Sequence, residues 1–193
     1  LMKTKVIDNF LTKSYHKELI KLLDSAKFPW YYNSHISGES FYKKRLYETG
    51  FSHIFWDNGS GGQRDSVYSW FWTPALYKIM DVVKNNFIIR SRGDMTMYTH
   101  KLFEHDPHVD FSFPHISTVY YVNNSDGDTI FYKEKAKKED DIKSFSKLNE
   151  VKRVSPKANR LVVFEGDTIH TGSSPNKNKN RIIINSNFAM EKF

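Results

Sequence analysis

The sequence predicts an α+β fold in which N-terminal helices pack on an antiparallel β-sandwich or barrel. Apolar residues recur at helical 3-to-4 spacing only in the first half of the chain. From Phe87 onward the pattern changes to short β-branched and aromatic runs broken by turn residues. No glycine-rich nucleotide loop and no internal repeat occurs, which argues against a doubly wound or solenoid architecture. The 193 residues are read as one domain, 1–193, with a helical part over about 1–89 and a β core over about 90–190.

The elements follow in order. In "LTKSYHKELIKLLDSAK", Leu11, Tyr15, Leu19, Leu22, Leu23 and Ala26 mark one face of a helix, with Thr12 or Ser14 as its cap and Pro29 beyond its end. A second helix is predicted over "TPALYKIMDVVKNNF", with Pro74 in its first turn and Leu76, Ile79, Met80, Val83 and Phe87 on one side. Between them, Asn33 to Ser66 is long, aromatic and rich in Gly and Ser, and reads either as a binding loop or lid or as a mobile surface excursion. Its aromatics Phe41, Tyr42, Tyr47, Phe51, Phe55 and Trp56 would line a groove or fill a core. "ISTVYYVNN" and "TIFYK", separated by Asp126-Gly127, are predicted to form a β-hairpin. The charged stretch Lys133 to Lys147 reads as a solvated loop or helix face, and Leu161–Phe164 and Arg181–Asn187 as buried strands.

Composition narrows the function. Aromatic residues make up 16% of the chain, too many for a disordered segment. No apolar run approaches the ~18 residues of a membrane span. No secretory leader is read in "LMKTKVIDNF", and the cytoplasm is the expected location. With no cysteine, any metal must be held by histidine and carboxylate. The net charge of +7 admits a nucleic-acid partner, but the lysines are interleaved with acids rather than gathered into a phosphate footprint.

Chemistry concentrates in "PHVDFSFPH", Pro107 to His115. In a strand, side chains two apart share a face, so His108 and Asp110 can reach one ion. Roughly half an occurrence of His-x-Asp is expected by chance in such a chain, so a third ligand must raise the odds. The candidates are His100, His105, His115 and His170. His100 and His105 sit in turn-like sequence, where surface histidines are ordinary, and His115 would point away on a continuous strand. His170 closes the apolar run "LVVFEGDTIHTG", placing it at the mouth of a strand or, equally, in a hydrogen-bonded turn. Eleven residues on, Arg181 opens "RIIINSNF". A guanidinium buried by that context requires an anionic partner, either a structural ion pair or a bound carboxylate.

These residues, in this order, resemble the iron(II)- and 2-oxoglutarate-dependent oxygenases, and more closely their prolyl 4-hydroxylase-like branch. "TVYYVNNSDGDTIFY" resembles that branch's strand and glycine-rich hairpin, and "VSPKANRLVVFEGDTIHTGSSP" the run that delivers its distal histidine. "DNFLT" and "FPWYY" are similar to the opening of small members from bacteria and their phages, so a bacterial or phage-infected cell would be the source. The resemblance implies a double-stranded β-helix, a jelly-roll or cupin-like barrel, with N-terminal helices packed on one sheet. It implies Fe(II) on His108, Asp110 and His170, and 2-oxoglutarate paired through its distal carboxylate with Arg181, with Tyr98 or Thr118 nearby. O2 is then the oxidant and ascorbate an accessory. The reaction implied is hydroxylation of an unactivated C–H bond, first of all at proline in a protein or peptide, with a free amino acid or other small molecule as the alternative. A non-enzymatic binding module is a third reading. Superfamily demethylases of nucleic acids carry a second arginine six residues after the first; Asn187 stands there, which argues against that substrate. The oligomeric state is left open. Two departures stand out: Asp126-Gly127 and Asp128 replace the branch's paired glycines and glutamate, and Asn159 stands where glycine is frequent.

Overall fold

The computed structural model describes residues 4–36, 47–58, 64–138, 141–142 and 144–190. Two antiparallel sheets face one another. Strands β1 (Lys5–Ile7), β2 (Tyr31–Asn33), β3 (Gly50–Asp57), β4 (Arg64–Asp65), β5 (Ile88–Met97), β7 (His115–Tyr121), β10 (Arg160–Glu165) and β12 (Asn180–Ala189) form the larger. Its order is β1-β10-β7-β12-β5-β3-β2, with β4 paired to β3. The smaller contains β6 (Phe103–Glu104), β8 (Thr129–Lys135), β9 (Glu150–Val154) and β11 (Thr168–Ser174), ordered β6-β11-β8-β9. From β7 to β8, β10 to β11 and β11 to β12 the chain passes between the sheets, which is how a double-stranded β-helix is wound.

Helix α1 (Lys13–Leu23) starts at Thr12, whose hydroxyl accepts from the Tyr15 amide, and stops at Asp24, short of the predicted Lys27. Helix α2 (Ser69–Val83) begins four residues before the predicted start, so Pro74 lies inside it rather than in its first turn. Its end is set by Lys84, whose φ of 54° leaves the right-handed helix.

Period-2 alternation assigns the two faces of the large sheet. Ile116 and Tyr120 of β7, Leu161 and Val163 of β10, and Ile182, Ile184 and Phe188 of β12 pack with Leu19, Trp72, Leu76 and Ile79 of the helices. Val119, Tyr121, Val162, Phe164 and Ile183 point the other way, against Phe131 and Val154 of the smaller sheet. The helices thus seal one face, and the site is built on the other.

Three expectations need correction. The N-terminal part is not only helical: β1 pairs with β10, and β3 lies between β2 and β5. Part of the stretch read as a loop or lid is therefore sheet, with Phe51, Phe55 and Trp56 on β3 and Phe55 fully buried in the helix-side core. Phe41 and Tyr42 lie outside the described residues. Asp126-Gly127 does not close a hairpin, because β7 and β8 belong to different sheets. Instead the Asp126 carboxylate accepts from the backbone amides of Asn176, Lys177 and Asn178 and from the Asn178 side chain, pinning the loop before β12. The hairpin is β8–β9, spanned by the charged stretch, whose first residues extend β8 and whose Ile142 is buried with Val109, Ala136 and Ile169.

Asn159 shows why a glycine position accepts asparagine. Its φ is 65°, which asparagine tolerates. Its side chain accepts from the Leu11 amide (2.7 Å) and the Tyr120 hydroxyl (3.0 Å), and donates to the Leu11 carbonyl (2.8 Å).

Candidate active site

His108 and Asp110 lie in an irregular segment before β7, not on a continuous strand. An isolated bridge ties His108 to His170 of β11 through two backbone hydrogen bonds of 2.9 and 3.0 Å. That bridge brings the ligand-type atoms of His108, Asp110 and His170 within 4.8 Å of one another. Each histidine Nε2 is 3.9 Å from Asp110 Oδ1. An ion with bonds of about 2.1 Å spans separations up to about 4.2 Å, so each histidine can share a metal with Asp110, and the three atoms together are grouped as a metal site needs.

The surroundings fix which atoms are available. Nδ1 of His108 lies 3.0 Å from the Asp106 carbonyl, and Nδ1 of His170 lies 3.0 Å from the Thr168 carbonyl. A carbonyl only accepts, so each Nδ1 carries the hydrogen and each neutral ring presents the Nε2 lone pair to the site. Burial pushes His170 down to about 4, with His108 adding to the shift, which keeps this ring neutral at physiological pH. Asp110 is oriented in the same manner. Its Oδ2 accepts from Ser117 Oγ (2.6 Å), Asn187 Nδ2 (2.7 Å) and, more weakly, Asn185 Nδ2 (3.3 Å), leaving Oδ1 toward the histidines. Burial opposes its ionisation, yet Arg90, the Ser117 hydroxyl and any proton carried by His170 or His108 favour the carboxylate and hold it below the usual range. Two imidazole nitrogens and one carboxylate oxygen are the donor set of a non-haem iron site with open positions.

Arg181 sits at the far end of the same pocket, 5% exposed. One Nη donates to Thr129 Oγ1 at 2.8 Å, and the guanidinium carbon lies 5.6 Å from the Tyr121 ring centroid. Among the described residues its Nε is buried without a hydrogen-bond partner, and it forms no ion pair with a carboxylate. Burial therefore lowers its pKa, with Tyr121 and Asp94 opposing the shift. Gly127 and Gly172 give it room: a Cβ on Gly127 would stand 2.9 Å from Arg181 Cδ, and one on Gly172 3.3 Å from both Nη atoms. A buried cation with no carboxylate partner among the described residues, lining the same pocket as the three ligand-type side chains, suits an incoming carboxylate.

The remaining sequence candidates separate. Thr118 is not brought to the site. It shares a face of β7 with Ile116 and Tyr120, toward the helices, and its hydroxyl donates to the Ser186 carbonyl. Thr129 and Tyr121 occupy the place beside Arg181 instead. Tyr98 stands just past the end of β5, 55% exposed and outside the pocket lining. His105 is no surface residue: it is buried, lines the pocket, and its Nε2 meets Ser174 Oγ at 2.9 Å. His115 stays out of the cluster, packed on Gly166 and ringed by Phe111 and Phe113. Arg92, Asp94, Asn185 and Asn187 were missed; their signal is the period-2 alternation of β5 and β12, which carries polar residues on the inward face.

The family model described as the 2OG-Fe(II) oxygenase superfamily matches residues 93–189. No curated protein sequence matches the chain. Among solved structures, an oxidoreductase of the 2OG-Fe(II) oxygenase family from Burkholderia pseudomallei is similar at 11% identity and a TM-score of 0.69, over 98% of this chain and 86% of the other. A prolyl hydroxylase from Trichoplax adhaerens, in complex with a hypoxia inducible factor peptide fragment, aligns at 14% identity and a TM-score of 0.62, over 96% and 83%. HygX from Streptomyces hygroscopicus, with nickel and 2-oxoglutarate bound, aligns at 9% identity and a TM-score of 0.58, over 98% and 84%. These structural likenesses establish the double-stranded β-helix, and the family model, spanning half the chain and taking in the second histidine and Arg181, goes further: this chain belongs to the 2OG-Fe(II) oxygenase superfamily, with iron and 2-oxoglutarate as its cofactors.

Proposed function

We propose that the chain is a dioxygenase that hydroxylates an unactivated C–H bond, with a prolyl residue or proline itself as the first substrate to test. His108, Asp110 and His170 would hold Fe(II), and Arg181, assisted by Thr129 and Tyr121, would hold the distal carboxylate of 2-oxoglutarate. When bound, iron and 2-oxoglutarate supply oxygen activation coupled to release of succinate and carbon dioxide. The protein's part is to bind, orient and exclude water. The two carbonyls fix the histidine tautomers, Ser117 and Asn187 fix Asp110, and the apolar side chains Val119 and Ile183 line the pocket between metal and arginine.

One observation carries the reading. Three oriented ligand atoms share one pocket with a buried arginine that has no carboxylate partner among the described residues, which a binding module has no reason to retain. The likeness to a prolyl hydroxylase supports proline, and the likeness to HygX keeps small molecules in view. Asn187 weighs against nucleic acid, because the position where the demethylases carry their second arginine is occupied here by a residue that binds Asp110.

The test is iron-dependent formation of succinate from 2-oxoglutarate, first without substrate and then with prolyl peptides, free proline and methylated oligonucleotides. His108→Ala should lose metal binding, and Arg181→Ala should weaken 2-oxoglutarate binding far more than metal binding. Absence of any iron-dependent turnover in the wild type would overturn the assignment.

A further inference from the structure

Arg92 and Asp94 remain unexplained by the metal and its co-substrate. Both lie on the inward face of β5 and line the pocket. In register, Arg92 stands opposite Asn185, at the level of the residues that hold Asp110. They touch one another through a single nitrogen, Arg92 Nε, at 2.8 Å from Asp94 Oδ1 and 3.1 Å from Oδ2.

That contact leaves both partners unfinished. Asp94 Oδ1 is buried and, among the described residues, meets a cation only through this 2.8 Å ion-pair contact with Nε, with no aligned hydrogen bond to it. Among the described residues the two Nη nitrogens of Arg92 have no hydrogen-bond partner, and the side chain is 22% exposed, so they are open to the pocket. A structural ion pair taken out of water would need its remaining donors and acceptors satisfied. The backbone ladders to β3 and β12 already hold β5, so the pair adds nothing to the sheet. With Arg181 assigned to 2-oxoglutarate, the charged lining that remains beyond the metal ligands is one cation and one anion in contact. Arg90, two residues earlier on the same face and stacked 4.8 Å over Phe111, reinforces the cationic half.

Resting on the oxygenase reading above, we infer that Arg92 and Asp94 form a receptor for a zwitterionic amino or imino acid. The substrate's carboxylate lies along the Nη edge of Arg92, and its primary or secondary ammonium group meets Asp94 Oδ1. This selects a free amino acid, such as proline, over a residue inside a peptide, where neither charge exists. The planar fork of arginine suits a carboxylate held by two parallel bonds.

The experiment uses the full chain loaded with Mn(II) and 2-oxoglutarate without oxygen, so binding is read independently of turnover. The common amino acids, their amides and their N-acetyl derivatives, and a peptide with an internal proline are titrated by ligand-observed NMR. At least one free amino acid should bind, with its amide and its N-acetyl form each weaker by tenfold or more. Arg92→Gln and Asp94→Asn should each weaken that amino acid by tenfold or more, whereas Arg92→Lys, which keeps the charge, should lose less. The dissociation constant of 2-oxoglutarate should move less than twofold in all three. Thermal melting verifies that each variant is folded. Peptide binding that matches any amino acid, or the absence of amino-acid binding, overturns the inference. So does a loss in Arg92→Gln that falls on 2-oxoglutarate instead. Iron-dependent uncoupled turnover, measured on the same wild-type protein, separates failure of this receptor from failure of the oxygenase reading.

Discussion

Replacing Asn187 with alanine tests whether the site is held by its supporting hydrogen bonds or by the ligands alone. Asn187 is fully buried, and its amide nitrogen is 2.7 Å from Asp110 Oδ2 and 3.0 Å from Ser117 Oγ. The variant removes one of three donors to a buried carboxylate, and Asn185 at 3.3 Å is too distant to replace it. A hydrogen bond to a charged group contributes about 1.5–3 kcal/mol. Because Oδ2 is not the oxygen facing the histidines, part of that loss falls on fold stability and part on metal orientation. Metal affinity should drop about tenfold to a hundredfold, the range for residues that orient a ligand. Mn(II) titration followed by electron paramagnetic resonance reads the affinity, and melting with and without metal reads the partition. Asn185→Ala, with its longer bond, should show the smaller effect. Wild-type metal affinity and melting temperature in Asn187→Ala would refute the role given to this hydrogen bond.

Three further outcomes are expected. Gly127→Ala should weaken 2-oxoglutarate binding by tenfold or more in calorimetric titration, because its Cβ would fall 2.2 Å from the Ser173 carbonyl and 2.9 Å from Arg181 Cδ; unchanged affinity would show that Arg181 is not seated by this contact. Asn159→Gly keeps the φ of 65° but loses three side-chain hydrogen bonds, for a loss of about 2–3 kcal/mol and a melting temperature lower by about 5–10 °C. Arg160 and then Lys157 hold Asp8 well below the usual carboxylate range, so its contribution is present above the unfolded value near 4 and is lost as pH falls through the folded one. Asp8→Asn should therefore cost no more than about 1 kcal/mol at neutral pH and flatten the decline in stability below about pH 4, read by melting across pH.

The site was legible in sequence where its chemistry is local. His108 and Asp110 lie two residues apart, and Arg181 announces itself by leading an apolar strand. His170 needed the family pattern, because the bridge that brings it to His108 joins residues about sixty positions apart. What stayed hidden depends on which face of a strand is inward. Thr118 and Thr129 look alike in sequence; one faces the helices and the other faces Arg181, and only the pairing of the sheets decides between them. The hairpin expected at Asp126-Gly127 failed for the same reason, since a turn dipeptide specifies a reversal of the chain but not whether it returns to the same sheet. Strand β3 within the stretch read as a loop or lid was hidden because its apolar residues alternate around a bulge, which obscures the period.

The position of β12 also governs how the protein comes into being. It is the last strand of the described chain, yet it lies between β7 and β5 in the larger sheet and carries Arg181, Asn185 and Asn187. Until β12 emerges from the ribosome, β5 and β7 have no common neighbour, and β1 has nothing to pair with before β10 arrives. Two exposed sheet edges must wait for one another during synthesis, a period of exposure to aggregation and to chaperones. The strand that completes the sheet also completes the pocket, so a partly made chain lacks both the buried guanidinium of Arg181 and the two amides that orient Asp110.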